Sequence, residues 1–187
     1  SVGGMTVNRL CGSSMSAVHI AAGQIAIGAG EAFICAGLES MSRVPMMGFN
    51  PLPNPTLAKK RAGAYMGMGE TAENVAGKYQ ITRAEQEAFA VKSQQKAAAA
   101  RAAGKLAEEI VTIESKAGPV KEDGIIRPDT TLEILAGLKP AFDKDGTVTA
   151  GTSSPLTDGA SALLVTSEDF ARKHGLAILA RIKGVGV

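Results

Sequence analysis

Apolar residues recur at Met15, Val18, Ala22, Ile25 and Ala29, three and four positions apart, and so line one stripe of a helix that Gly28 and Gly30 stop. Directly after it, Ala32-Phe33-Ile34-Cys35-Ala36 is an unbroken apolar run, the pattern of a strand covered on both faces. Ahead of it, Val7-Asn8-Arg9-Leu10 reads as a strand end that runs into Cys11 and the small residues opening the helix. Strand, helix, strand is the predicted order to about Met41, as in an α/β layer.

From Ser42 to about Thr147 the pattern changes, because Pro45, Pro51, Pro53 and Pro55 break up the chain and glycines and methionines follow. Thr82-Arg83-Ala84-Glu85 is a capping box that predicts a helix through the alanine-rich stretch to Gly104. Thr130-Thr131-Leu132-Glu133 opens a shorter one, closed by Gly137 and Pro140. Ala160-Ser161-Ala162-Leu163-Leu164-Val165 then predicts a buried strand. Ser167 caps a helix with Glu168 and Asp169 in its first turn, Lys173 and His174 in its last, and Gly175 beyond it, all in the sense the helix dipole favours. Ile178, Ala180 and Ile182 alternate with Leu179, Arg181 and Lys183, which predicts a strand opening a second domain. No internal repeat is evident.

Composition narrows the function classes. A formal net charge of +2 on 187 residues calls for neither nucleic acid nor a membrane surface. No apolar run approaches the roughly 20 residues of a membrane span, and no signal peptide is visible. The expectation is a soluble globular piece. Its two cysteines lack metal-type spacing, which suggests a reducing cytoplasm rather than a disulfide framework and gives no metal site. The cluster Lys59-Lys60-Arg61 reads as a solvated loop, with a phosphate contact as the other reading.

Cys11 carries the candidate chemistry. At the first turn of a helix a sulfur meets unpaired backbone N–H groups and the positive end of the dipole, both of which favour thiolate over thiol. Cys35, inside the apolar run, reads as core. A buried structural role remains the alternative for Cys11 on local features alone. A serine hydrolase elbow has the same strand-to-helix geometry, but its Gly-x-Ser-x-Gly pattern is missing at this bend. Gly67-Met68-Gly69-Glu70-Thr71-Ala72 fits a dinucleotide pattern without the apolar strand that should precede it. Asp143-Lys144-Asp145-Gly146 has too few spaced oxygen ligands for calcium and reads as a turn. His19 and His174 read as structural or solvated.

Five segments in order, Val7-Asn8-Arg9-Leu10-Cys11-Gly12-Ser13-Ser14, Gly37-Leu38-Glu39-Ser40-Met41-Ser42, Met68-Gly69-Glu70-Thr71-Ala72-Glu73-Asn74-Val75-Ala76, Leu138-Lys139-Pro140-Ala141-Phe142 and Thr147-Val148-Thr149-Ala150-Gly151-Thr152-Ser153-Ser154, resemble thiolase motifs. The resemblance spans nearly the whole chain and points to the 3-ketoacyl-CoA thiolases of the degradative type. It implies a layered α/β thiolase-like fold with an inserted loop domain: residues 1–41 as part of the N-terminal domain, 42–147 as the loop domain, 148–176 as the end of the N-terminal domain and 177–187 as the start of a C-terminal domain. A complete thiolase is much longer, and its remaining catalytic groups, a histidine in Gly-His-Pro and a second cysteine in Cys-x-Gly, lie in a C-terminal half. The chain is therefore expected to be a fragment, inactive by itself.

The chemistry implied by the resemblance is thiolytic cleavage. Cys11 would attack the 3-keto carbon of a 3-ketoacyl-CoA, the C2–C3 bond would break, and acetyl-CoA would leave once its enolate carbon is protonated. The shortened acyl group stays on sulfur until a second CoA thiol takes it. The resemblance puts Ser154 beside the pantetheine arm, Met68 at the acyl pocket and Arg127 near the nucleotide end, with CoA a substrate and no separate cofactor. Gly67 stands where many thiolases have a histidine before Met-Gly, and Thr152 where the acetoacetyl-CoA type has an asparagine. Both departures look like the fatty-acid-degrading branch. Implied partners are acyl-CoA and CoA, further copies in a homo-oligomer, and a β-oxidation partner subunit. Two other readings stay open: a biosynthetic, acetoacetyl-CoA-forming thiolase, and a fragment that binds CoA or a partner without turnover.

Overall fold

The computed structural model describes residues 2–186. Along the chain run α1 (Ser13–Ala26), β1 (Ala32–Ser40), α2 (Pro55–Lys60), a single 3-10 turn (Ala62–Tyr65), α3 (Met68–Tyr79), α4 (Arg83–Ala102), β2 (Ile113–Ser115), β3 (Gly118–Val120), α5 (Leu132–Ala136), β4 (Asp158–Thr166) and α6 (Glu168–Lys173). They fall into two compact units, one of residues up to Phe49 together with those from Leu156 onward, the other Asn50–Pro155.

In the first unit β1 and β4 form an antiparallel pair, with Ala32 opposite Thr166 at one end and Ser40 opposite Asp158 at the other. Side chains alternate between the faces of a strand, so Phe33, Cys35 and Gly37 share one face and Ile34, Ala36 and Leu38 the other. Helix α1 covers the first face. Ala21, Cys35 and Val165 are buried there, with Ala17, Val18, Ile25 and Phe33 packed around them. Gly37 lets the start of α1 lie close over β1, since an added Cβ would overlap the Ser14 hydroxyl. Gly28, at φ 73°, turns the chain out of α1 in the left-handed region glycine tolerates, as the sequence predicts.

The other face of this sheet is bare, with Ile34 80% and Leu38 82% exposed. This corrects two expectations. The apolar run of β1 does not lie between two layers, and β4 is not a buried strand, since Val165 is its one buried residue. Both sequences are apolar on each face, but only one face meets a helix here. The strands expected at Val7–Leu10 and from Ile178 to Ile182 are absent as well. Among the described residues β1 and β4 are the only strands of their sheet, so neither segment has a ladder in which to pair its N–H and C=O groups.

In the second unit the caps follow the sequence. Thr82 Oγ1 accepts from the Glu85 N–H at 3.3 Å and Glu85 Oε2 accepts from the Thr82 N–H at 2.7 Å, which closes the capping box that starts α4. At α5 the cap is Thr131, which accepts from the Ile134 N–H, whereas Thr130 donates to the Arg127 carbonyl at 2.8 Å. The hairpin β2–β3 carries no periodic signal long enough to predict it. Glu87, buried on α4, pairs with Arg83 at 2.6 Å. The Arg83 guanidinium also donates to the carbonyls of Leu135, Ala136 and Leu138, at 3.0, 3.2 and 2.6 Å, and so ties α5 to α4.

Candidate active site

Cys11 is exposed and lies just ahead of α1, whose N-cap is Gly12. The turn that presents it is fastened from within. Asn8 Oδ1 accepts from the Leu10 N–H at 2.9 Å, Ser13 Oγ accepts from the Arg9 N–H at 2.8 Å, and the same hydroxyl donates to the Leu10 carbonyl at 2.6 Å. Between those fastenings Leu10 sits at φ 50°, in the left-handed region that a branched residue enters only when its surroundings impose it. The N–H groups of Gly12 and Ser13 are bonded to the Arg9 and Leu10 carbonyls at 3.0 Å each. Polar side chains at Asn8 and Ser13 are thus the local reason for the turn, a role the sequence left unassigned.

Cys35 contrasts with it. It is 6% exposed, its Sγ donates to the Ala17 carbonyl at 3.6 Å, and burial raises its thiol pKa above the ordinary value. An inert core thiol is the reading the sequence made, and the burial agrees with it.

The remaining candidate residues, Met68, Arg127 and Ser154, all lie in the second unit. Met68 opens α3 and is 67% exposed. Its neighbour Gly69 leaves room for Phe142, whose ring an added Cβ would overlap. Gly67, in place of a histidine, is the N-cap of α3, and its N–H donates to Glu70 Oε2 at 3.1 Å, so the glycines of this segment serve a helix start, in line with the rejection of a dinucleotide loop there. Arg127 has its N–H bonded to Gln94 Oε1 of α4 at 2.8 Å and its side chain exposed. Ser154 is exposed at the end of a knotted segment. Thr149, fully buried, donates its N–H to Thr152 Oγ1 at 3.0 Å, and its carbonyl accepts from Thr152 Oγ1 and Ser153 Oγ at 3.2 and 2.8 Å.

Sequence reading missed what holds that knot in place. Glu73, on α3, accepts from the Thr147 N–H at 3.0 Å and from the Val148 N–H at 2.8 Å, and Gln86 of α4 donates to Thr147 Oγ1 at 3.0 Å. Glu73 also lines a cleft of about 470 Å³ with Tyr65, Met66, Glu70, Asn74 and Phe142. The signal for Glu73 lay in its position, one turn into α3 on the side of the helix that Glu70 and Asn74 share. Among the described residues no three histidine, cysteine, aspartate or glutamate side chains converge as a metal site requires, and no helix is long and apolar enough to cross a membrane.

Residues 1–169 match the family described as "Thiolase, N-terminal domain". The chain belongs to the thiolase family. Its full length aligns with the 3-ketoacyl-CoA thiolases of Shewanella frigidimarina, at 51% identity, and Bacillus subtilis, at 44%, while covering 50% and 51% of those proteins. The chain thus spans about half the length of the curated relatives it matches. Among solved structures it resembles the dimeric peroxisomal thiolase of Saccharomyces cerevisiae, with a TM-score of 0.85 at 35% identity over 94% of this chain and 46% of that one. It also resembles human mitochondrial 3-ketoacyl-CoA thiolase in complex with CoA, with a TM-score of 0.78 at 38% identity over 92% of this chain and 47% of that one. The layered thiolase-like fold expected from the sequence is therefore the fold of the chain. One tripeptide needs separating from the thiolase signature: Cys35-Ala36-Gly37 has the form Cys-x-Gly, but its sulfur is closed in the β1–α1 core and cannot meet a substrate.

Proposed function

We propose that the chain supplies the nucleophile and the CoA-facing segments of a 3-ketoacyl-CoA thiolase of the degradative type. The observation that carries this reading is the Cys11 turn: an exposed sulfur ahead of a helix N-terminus, behind a strained residue, fastened by Asn8 and Ser13. In this reading the Cys11 sulfur adds to the 3-keto carbon of the substrate, and the electron pair of the carbonyl moves onto oxygen. The N–H of Cys11 is the donor proposed for that oxyanion, since those of Gly12 and Ser13 are already bonded to carbonyls. One well-placed donor contributes about 3 kcal/mol to such a step. Collapse breaks the C2–C3 bond, acetyl-CoA departs after its enolate carbon takes a proton, and the acyl group remains on Cys11 as a thioester. The thiol of a second CoA then receives it. Sulfur suits this exchange because thioester and thiol interconvert at little free-energy cost.

Met68 at the acyl group, Ser154 at the pantetheine arm and Arg127 at the nucleotide end complete the proposed substrate contacts. All three are exposed in the second unit. CoA enters as substrate, and no separate cofactor is part of the reading. Thr152 supports the degradative branch over the acetoacetyl-CoA-forming one, because its hydroxyl is spent inside the Thr149 knot and does not replace the amide of an asparagine facing CoA. The dimeric yeast relative supports self-association, which sedimentation at micromolar concentration tests; a monomer would contradict it.

The reading is tested by brief labelling with a limiting alkylating agent followed by peptide mass mapping. The peptide holding Cys11 is modified well before the one holding Cys35, Cys11→Ser removes the fast phase, and a short-chain acyl-CoA at saturation slows it. Equal labelling of both cysteines in folded protein would overturn the assignment.

A further inference from the structure

We infer that Glu73 is a positioning residue for the CoA-binding segment, a carboxylate on α3 that fixes the path of residues 147–154 and so sets where Ser154 stands. The inference rests on the proposed function for the ligand and on the hydrogen bonds of the second unit for the mechanism. Glu73 is half-buried and spends both of its oxygens on one stretch of backbone. Oε1 takes the Val148 N–H at 2.8 Å and the Thr147 N–H at 3.0 Å, while Oε2 takes the same Thr147 N–H at 3.0 Å and the Thr147 hydroxyl at 3.2 Å. Bonds from N–H groups to a charged carboxylate are about twice as strong as neutral ones, so this anchor outweighs an ordinary turn contact.

The anchor is fitted on the other side too. At Gly146 an added Cβ would overlap the Glu73 carboxylate, so the glycine admits it to the backbone. Beyond the anchor the chain has little freedom. Val148 and Thr149 are buried at 5% and 0% exposure, Thr149 is knotted to Thr152 and Ser153, and at Gly151 an added Cβ would overlap Leu135. Directly after that knot the chain emerges as exposed Ser154. A displacement at Thr147 therefore passes along a closed set of hydrogen bonds to the pantetheine contact. Glu73 itself touches no substrate in this account.

Variants at Glu73 separate positioning from bulk stability. In Glu73→Gln the amide oxygen keeps the two N–H bonds, and the amide nitrogen can donate to Thr147 Oγ1; in Glu73→Ala all are lost. CoA affinity of the 187-residue chain is measured by titration calorimetry at a temperature where circular dichroism shows each variant folded. Glu73→Ala weakens CoA binding about tenfold or more, as misplaced contacts of this kind do, while Glu73→Gln stays within about threefold of the parent chain. Hydrogen exchange at the Val148 amide accelerates in Glu73→Ala and the Cys11 labelling rate does not change. Equal CoA affinity in the folded Glu73→Ala chain would overturn the inference and leave the proposed function standing. Absence of CoA binding by the folded parent chain would overturn the proposed function and the inference with it.

Discussion

The unit around Cys11 is held together by apolar contact, whereas the unit of residues 50–155 is held by side chains bonded to backbone. In the first, Cys35 and Val165 from the two strands meet Ala21 from α1, and the sheet's second face stays bare at Ile34 and Leu38. In the second, Arg83 caps three carbonyls beyond α4, Glu73 ties two N–H groups to α3, and Thr149 is knotted to its own neighbours. The difference follows from composition. A chain interrupted by prolines and glycines cannot build long apolar stripes, so its loops must satisfy their polar backbone with side chains or remain loose. The first design tolerates changes of polarity poorly and the second tolerates loss of a single donor poorly.

The largest expected effect is therefore in the second unit. Arg83→Met keeps the length of the side chain but leaves Glu87, 6% exposed, without its cation and takes the guanidinium bonds from the carbonyls of Leu135, Ala136 and Leu138. Breaking a buried ion pair on one side typically costs about 3–5 kcal/mol, and the lost carbonyl bonds add to that. Urea titration followed by the exposure of Cys35 thiol should show the first unit unfolding at its usual midpoint while Tyr65 and Tyr79, the two tyrosines, report early loss of the second. A single unchanged transition would mean that Arg83 does not hold the unit.

A smaller effect is expected where β1 lies against the start of α1. Gly37→Val places a branched side chain where the Ser14 hydroxyl lies, and overpacking of this kind costs about 1–3 kcal/mol. Because Ser14 is the second residue of α1, the helix start must shift, and the Cys11 turn with it. The labelling rate of Cys11 should change while Cys35 remains protected. If Cys11 reacts as before, the turn is fixed by Asn8 and Ser13 alone, independently of where α1 rests on the sheet.

What the sequence told in advance follows the same division. Helix stripes, capping boxes and glycine stops are local, and α1, α4 and α6 come out where those signals put them. Burial is not local. The apolar runs at Ala32–Ala36 and Ala160–Val165 announce strands, yet which faces are covered depends on elements elsewhere, and the faces of β1 and β4 differ accordingly. Of the candidate site, the placing of Cys11 just ahead of a helix was legible, because the stripe and the small residues that start α1 are local signals, although the strand expected before it is absent. The groups that fasten its turn, Asn8 and Ser13, and those that hold residues 147–154, Glu73 and Thr147, were not, because each acts on backbone through a geometry that spacing alone does not encode.

The smallest expected effect distinguishes the units by their response to acid and salt. At the end of the β1–β4 pair, Asp158 accepts from the Ser42 hydroxyl at 2.5 Å and from the Ser42 N–H at 2.8 Å, and these two bonds, the hydroxyl's first, hold its carboxyl below the usual aspartate range. In the second unit the Glu85 carboxyl is lowered by the Thr82 N–H and then by its hydroxyl. A carboxylate with a depressed folded pKa contributes stability that is fully present above its unfolded pKa and is lost as pH falls through the folded one. Both units should therefore weaken below the ordinary carboxylate range, and the size is modest because both groups are open to solvent. Ser42→Ala, which removes the larger of the two bonds at Asp158, should flatten the acid limb of the first unit alone, whereas Thr82→Ala keeps the N–H that lowers Glu85 most and should soften the limb of the second unit only slightly, read by the Cys35 and tyrosine probes respectively. Added salt sharpens the test. Hydrogen bonds to a neighbouring hydroxyl and N–H are short-range and survive screening, so the acid limb from Asp158 should persist at high ionic strength. The Glu168 carboxyl on α6 is lowered by a hydrogen bond from Arg172 and then by the charges of Arg181 and Arg172, so its part of the limb should shrink as the Debye length falls. If Ser42→Ala leaves the acid limb of the first unit intact at high salt, Asp158 is not the group that holds the β1–β4 end together.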